Sequence, residues 1–512
     1  MEEGDRFAEF LGALSLASDH ARGQPPESAL GTTVLATRLA RRVGLDDEET
    51  NETFFTAITR TLGCTSTAME VAPLALGDDL SLGHAIHLSD PVDPGSIREC
   101  LEARFALDAQ PEDRENAIDT FVSLRDRFPE MTAPVSQQAV ALSSRLPLPA
   151  NVPRYLEHID SRWDGADPTR SAGDAIPHQV RIVELATVAE LFRRAGGADA
   201  AIDMARSRSG SQFDPSICDA FVTGAEELLT GFDAPSLWQL FLDSEPAPLS
   251  TLGKDDRRLF AAVCADYADN KSGWFVGNSR RVARLAVTAG AVLDLTAQET
   301  DDLLMAGLLH DVGRCATPNG ILDKPGPLTA RERGVVDSQG RHTEQILAAA
   351  GPLRPIAALA GSARERVDGS GHPRGIRVRD RRMALLAAAG VQVALVSDRP
   401  WRPAFDNDDA AEHMHREAEE GRLSHEAVEA VLESHGHRSD RTTRVYPDGL
   451  TPREAEVLTL LASGLLSKQI AAKLGIAYKT VDNHVQNLYR KIGASTRTAA
   501  AMYAIDKGLY DS

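Results

Sequence analysis

Two stretches of this 512-residue sequence carry side chains whose types and spacing could do chemistry. The first is Leu308–Arg314, LLHDVGR, where His310 and Asp311 stand side by side after an apolar run. An imidazole and a carboxylate converging at a helix end can ligate a metal ion, or can simply hydrogen-bond each other and close the helix. The second is Tyr478–Ile492. Lys479, Asn483, Gln486 and Arg490 fall on one helical face with Lys491 beside the end, while Val481, Val485, Leu488 and Ile492 fall on the other. Such a helix buries one side and offers amides and cations on the other. That suits a DNA groove, because amides read base edges and cations hold phosphates, although an ordinary solvated face has a similar composition. The five cysteines (Cys64, Cys100, Cys218, Cys264 and Cys315) are scattered and never form a C-x-x-C pair. They fit neither a disulfide framework nor a zinc ribbon, and they suit a reducing cytoplasm.

Helices must position these residues. Alanine and leucine recur at helical spacing, as in Val282–Leu293 and Asp301–Leu309, and alternating β-branched residues are almost absent. The length suggests about three domains. No stretch approaches the roughly 18 apolar residues of a membrane span, and the first residues lack a basic segment followed by an apolar core, so a cytoplasmic protein without membrane contact is expected. The chain has 75 acidic and 55 basic side chains, a formal charge of -20, which taken alone argues against nucleic acid. The charge is unevenly spread: Arg441–Ser512 holds ten Lys and Arg against six Asp and Glu. A small basic unit thus follows a large acidic body. Polar Ser434–Asp448 reads as the linker, and Pro-containing Asp243–Lys254 marks a second boundary. The expected domains are 1–235, 250–436 and 447–512.

The acidic body echoes itself. Gly44–Thr50 (GLDDEET) followed by Leu62-Gly63-Cys64 matches Asp294–Thr300 (DLTAQET) followed by Val312-Gly313-Arg314-Cys315, with a constant offset of 250 from Leu45/Leu295 to Gly63/Gly313. Trp163-Asp164-Gly165 matches Val367-Asp368-Gly369 at an offset of 204, so the first copy carries extra residues around Asp78–Arg127. Tandem duplication explains this pattern; two unrelated Ala/Leu-rich helical domains are the alternative.

In the basic unit, Thr451-Pro452-Arg453-Glu454 starts a helix with a capping box and proline at its first position, and Gly464 ends it. Ser467 caps a short helix, Lys468–Leu474, Gly475 makes the turn, and the two-faced helix follows. Leu450–Tyr510 resembles the LuxR/FixJ-type DNA-binding domain: LTPREAEVL, then SKQIAAKLGIAYKTVDNHVQNLYRKIGASTRTAA. The resemblance implies four helices, a double-stranded DNA partner, dimeric binding and subunit pairing through about Arg497–Lys507. Carried over position by position, it puts Asp482, Asn483 and Gln486 at base-reading sites. Lys468, Lys479, Thr480, His484 and Lys491 fall at phosphate sites, and Arg490 joins them on the same face. Asp482 stands where a basic residue is common, and Ala477 replaces the usual Ser cap at a cost of about 1 kcal/mol.

After LLHDVGR come Pro318–Leu328 (PNGILDKPGPL) and Glu365–Gly375 (ERVDGSGHPRG). In order and spacing these resemble an HD-GYP domain, the all-helical metallophosphodiesterase family acting on cyclic dinucleotides, over about Leu259–Leu432. The family's metal ligands align poorly here. His310 and Asp311 are kept, but Asn278, Gln339, Ala363, Arg364 and Gly390 occupy the other ligand positions, Arg314 that of the assisting lysine and His372 that of the GYP tyrosine. A binuclear centre needs roughly half a dozen N/O ligands. The first copy keeps RWDG at Arg162–Gly165 and AIPHQVRIVELA at Ala175–Ala186, but has Arg60-Thr61 where His-Asp would stand, and Ser28 and Thr187 at other ligand positions.

The expected fold is therefore all-α: tandem HD-domain-like helical domains followed by a four-helix LuxR-type helix-turn-helix domain. The expected function is a homodimeric transcriptional regulator that is not an enzyme and needs no metal or cofactor, with His310 and Asp311 a vestigial pair. Arg314, Arg364 and Arg366 are candidate anion contacts for a nucleotide or other small ligand. The alternatives are a metal-dependent cyclic-dinucleotide phosphodiesterase with a DNA-binding output, and a scaffold that holds a protein partner.

Overall fold

The computed structural model describes residues 4–167, 169–436, 447–474 and 476–510. Most of the expected linker, and the turn residue Gly475, lie outside the described residues. The chain divides into two compact units, Met1–Phe260 and Ala261–Ser512, each treated separately below. Among the described residues the only paired strands are Asp5–Arg6 and Thr251–Leu252, two residues each; the regular structure is otherwise helical.

The first unit is built around phenylalanines. Phe7 stacks on Phe55 with ring centroids 5.9 Å apart, Phe54 stacks on Phe241 at 5.3 Å, and Phe10 meets Phe260 edge-on at 5.2 Å. Such pairs add about 0.5–1.5 kcal/mol beyond the area they bury. The extra stretch around Asp78–Arg127 folds as helices Asp79–Ile86, Pro94–Arg104 and Pro111–Ser123. Its Leu82, Ile97, Leu101, Phe105 and Ile118 form an apolar cluster of their own with Ala75. An insertion that buries its own apolar face needs little from the parent bundle, which explains how the repeat accommodates it.

The two units use the same local devices at the same offset. Helix Asp47–Thr59 begins with a capping box between Asp46 and Glu49, and helix Ala297–Leu309 with one between Thr296 and Glu299. These helices deliver Arg60-Thr61 and His310-Asp311 to equivalent places. Just beyond, a Cβ built on Gly63 would lie 1.7 Å from the Val135 carbonyl oxygen, and one on Gly313 would lie 2.2 Å from that of Gln339. Only glycine lets the chain pass so closely. Asp19 accepts hydrogen bonds from the Ala29 backbone N–H at 3.2 and 3.4 Å, and Asp269 accepts one from Ser279 N–H at 2.7 Å. A duplicated HD-like bundle follows from these matches, on residues that sequence reading had only partly paired.

The last four helices are Pro452–Ala462, Ser467–Leu474, Tyr478–Ile492 and Arg497–Asp506. The capping box between Thr451 and Glu454 forms as the sequence predicts, and Ala477 gives no side-chain cap. The second helix starts one residue earlier than expected, with the Gln469 Oε1 accepting from Leu466 N–H at 2.8 Å rather than Ser467 acting as the cap. Val457, Leu458, Leu461, Ile470, Val481 and Leu488 form the core, with Val485 and Ile492 partly buried against it.

Candidate functional site

His310 follows the last turn of helix Ala297–Leu309, and the chain then tightens into a 3-10 turn, Val312–Ala316. Its Nδ1 lies 2.8 Å from the Gly307 carbonyl oxygen and its Nε2 lies 2.9 Å from Asp311 Oδ2. The same carboxylate oxygen accepts from the Arg314 guanidinium and from Asn278 Nδ2, the latter at 3.2 Å. Arg314 also donates to Asp269 Oδ1 at 3.1 Å, and Arg364 stands 3.7 Å from Asp311 Oδ1. His310, Asp311, Asp269 and Arg314 are all buried.

Burial alone would raise the Asp311 pKa, but Arg314 and His310, helped by Arg364, hold it well below the usual carboxylate range. Asp269 behaves oppositely. Burial outweighs Arg314 and pushes its pKa up to about 6. Arg399 closes the far side, donating to Asn278 Oδ1 at 3.1 Å and to the Trp274 carbonyl at 2.7 Å. The Phe275 ring lies between two guanidiniums, with Arg314 3.9 Å and Arg399 4.7 Å from its centroid. Thr343 supports the turn, accepting from Gly313 N–H at 3.0 Å and donating to the His310 carbonyl at 2.9 Å.

These residues do not fit a metal centre. Arg314 already neutralises the Asp311 carboxylate, and among the described residues no three His, Cys, Asp or Glu side chains gather as a candidate set. The chemistry on offer is that of a buried cluster of guanidiniums and carboxylates around one imidazole. Of the expected anion contacts, Arg314 and Arg364 reach the site. Arg366 does not: it donates to the Glu365 carbonyl, and Glu417 and Asp368 are the leading opposite charges around it. Sequence reading missed Asp269, Phe275, Thr343 and Arg399. The 250-residue offset that pairs Asp19 with Asp269 would have flagged the first; nothing in the pattern marks the other three.

In the first unit the equivalent place is plain. Thr61 Oγ1 shares a 2.8 Å hydrogen bond with Ser18 Oγ, and Arg60 faces Glu184 at 3.8 Å and Asp160 at 4.0 Å.

On helix Tyr478–Ile492, Lys479, Thr480, Asn483, Gln486, Arg490 and Lys491 are exposed, as is Lys468 on the preceding helix, while Asp482 and His484 are half-buried. Three of these residues, Asp482, Gln486 and Lys491, have internal partners. Gln486 Nε2 donates to Asp482 at 3.4 Å, and Lys491 Nζ reaches Glu454 at 2.7 Å and the Gly449 carbonyl at 2.9 Å. Lys491 therefore ties the recognition helix to the first helix of its domain, and a phosphate would compete with Glu454 for it.

The architecture is that of an HD domain joined to a LuxR-type helix-turn-helix domain. Residues 262–426 match the HD domain family and residues 448–504 match the bacterial regulatory proteins of the luxR family. The chain is similar to 3'3'-cGAMP-specific phosphodiesterase 3 of Vibrio cholerae, 28% identical over 79% of this chain and 89% of that protein. The crystal structure of a cyclic GMP-AMP-specific phosphodiesterase from V. cholerae has the same fold, with a TM-score of 0.59 over 86% of this chain and all of that one, at 24% identity. The C-terminal domain is 42% identical to transcriptional regulatory protein MctR of Rhizobium johnstonii over 62 residues, 12% of this chain and 29% of that protein.

The expectation that this protein is no enzyme is corrected by the first of these relatives, a phosphodiesterase matched over most of both chains. A count of one family's metal ligands was the wrong ground for excluding catalysis. Among the described residues no helix is long and apolar enough to cross a membrane.

Proposed function

We propose that this protein is a DNA-binding regulator whose HD domain is directed at 3',3'-cyclic dinucleotides, with phosphodiester hydrolysis as that domain's reaction. The observation that carries the reading is likeness to a cyclic-dinucleotide phosphodiesterase over 79% of the chain, in a chain that also carries a LuxR-type domain. The site chemistry is compatible with it: Arg314, Arg364 and Arg399 supply positive charge for phosphodiester oxygens, and the His310 imidazole pairs with the same Asp311 carboxylate that Arg314 and Arg364 approach. The LuxR-type domain binds double-stranded DNA, as a homodimer in this reading, with Lys479, Asn483, Gln486 and Arg490 as its leading contacts.

Purified protein incubated with 3'3'-cGAMP or cyclic di-GMP, with and without Mg, Mn or ferrous ions, should release linear dinucleotide, and His310→Ala should abolish the release. No turnover of any nucleotide under any of these conditions, together with no heat of binding by calorimetry, would sink the reading.

A further inference from the structure

The loop 270–277 of the second unit belongs to two places at once. On one side it closes the HD site through Phe275, clamped by Arg314 and Arg399, and through the Trp274 carbonyl that accepts from Arg399. On the other it enters the LuxR-type domain. Val276 is 5% exposed and sits in the same apolar cluster as Leu450, Leu461, Leu465 and Ala501. A Cβ on Gly464, whose φ is +94°, would lie 2.9 Å from the Gly273 carbonyl oxygen and 3.4 Å from Trp274. Asn270 Nδ2 lies 3.1 Å from the Met502 sulfur. Consecutive residues thus serve the two domains, and three residues span only about 10 Å of chain. Phe275 cannot leave its clamp without pulling on Val276.

Arg399 is the exposed weakness of the clamp. It is 5% exposed and, among the described residues, has no carboxylate within ion-pair distance; both of its hydrogen-bonding ends are spent on neutral oxygens. A buried cation without a counter-ion is costly and favours any anion that reaches it. A phosphate pairing with Arg399 Nη1 competes with the Trp274 carbonyl, the partner that belongs to the loop.

We propose that loop 270–277 relays occupancy of the HD site to the LuxR-type domain by drawing Val276 out of that domain's core. This rests on the reading of the HD domain given above. The recognition face of Tyr478–Ile492 is open to solvent, so the relay acts by loosening a docked domain, not by uncovering its DNA contacts.

The test is amide hydrogen exchange on the full-length chain, with 3'3'-cGAMP as the probe. Saturating nucleotide should speed exchange by about tenfold across both 273–277 and 461–465 while 303–309 stays protected. Phe275→Ala should bring the same two changes without nucleotide. Val276→Thr places a hydroxyl in the LuxR-type core and should loosen 461–465 alone, a second arm should Phe275→Ala misfold. Calorimetry should show Arg399→Met binding nucleotide about tenfold more weakly. Equal binding by Arg399→Met, nucleotide binding that leaves 461–465 unchanged, or folded Phe275→Ala and Val276→Thr with wild-type exchange there would overturn the relay and leave the functional reading standing. No nucleotide binding by the wild type would remove the functional reading itself, and the relay with it.

Discussion

The two HD-like bundles put different chemistry on the same scaffold, and the sharpest contrast is between Asp19 and Asp269. Both are fully buried carboxylates, and both accept from the backbone N–H of a residue ten positions on. In the second unit Arg314 donates to Asp269, and burial still pushes the pKa up to about 6. At the matching position the first unit has Cys64. Asp19 has the weaker help of Arg22 and is pushed higher, to about 7. Arg314 in place of Cys64 thus gives the second unit's buried carboxylate a guanidinium donor, while burial raises both carboxylates. The contrast extends to the neighbouring pair: His310-Asp311 gathers Arg314, Arg364 and Asn278, whereas Thr61 shares a hydrogen bond with the Ser18 hydroxyl and Arg60 faces Glu184 and Asp160.

The largest effect should come from breaking the second unit's pair. Arg314→Ala leaves Asp269 buried without its ion-pair partner and Asp311 with only His310 and the more distant Arg364 among its described ion-pair partners, and should cost about 3–5 kcal/mol in urea unfolding; a loss under about 1 kcal/mol would mean the pair contributes nothing net. The next test uses pH. Between its unfolded pKa of 3.8 and about 7, folded Asp19 holds a proton that the unfolded chain has lost. Stability should fall as pH rises through that window, by at most about 1.4 kcal/mol per pH unit. Asp19→Asn should flatten that slope, and an unchanged slope would show that Asp19 does not titrate there. Asp269→Asn should flatten only the stretch below about pH 6.

The basic face offers a comparison of its own. Lys479→Ala/Arg490→Ala should lower affinity for duplex DNA and reduce the salt slope by about two, as expected for two lost phosphate contacts. Wild-type binding would place the recognition face elsewhere. Lys491→Ala should show in stability as well, by less than about 1 kcal/mol because the Lys491–Glu454 pair is partly exposed. The smallest change belongs to the first unit: Thr61→Val should cost about 1 kcal/mol or less and leave nucleotide turnover as in wild type.

Much of this was legible in order. The capping boxes at Asp46, Thr296 and Thr451 form because each places an oxygen acceptor three residues before a glutamate, a purely local arrangement. The division of Tyr478–Ile492 into two faces follows from helical spacing and needs no knowledge of neighbours. The insertion around Asp78–Arg127 was visible as a changed offset. Arg366 was misread because its position beside Arg364 in the sequence says nothing about which way a turn will send each side chain. The exclusion of catalysis failed differently, by treating absent ligands as absent function.

What the sequence alone determined about this protein is its set of local elements: helices, their caps, the repeat and the basic tail. Each depends on contacts within a few residues or on composition. The tertiary structure alone decided what surrounds His310 and Asp311, by bringing Asn278 and Arg364 to the Asp311 carboxylate and, one contact further out, Asp269 to Arg314 and Arg399 to Asn278. It alone put Val276 into a core formed by residues some 180 positions later in the chain. Burial gives those meetings their force, because removing water turns a weak surface attraction between charges into one that sets protonation.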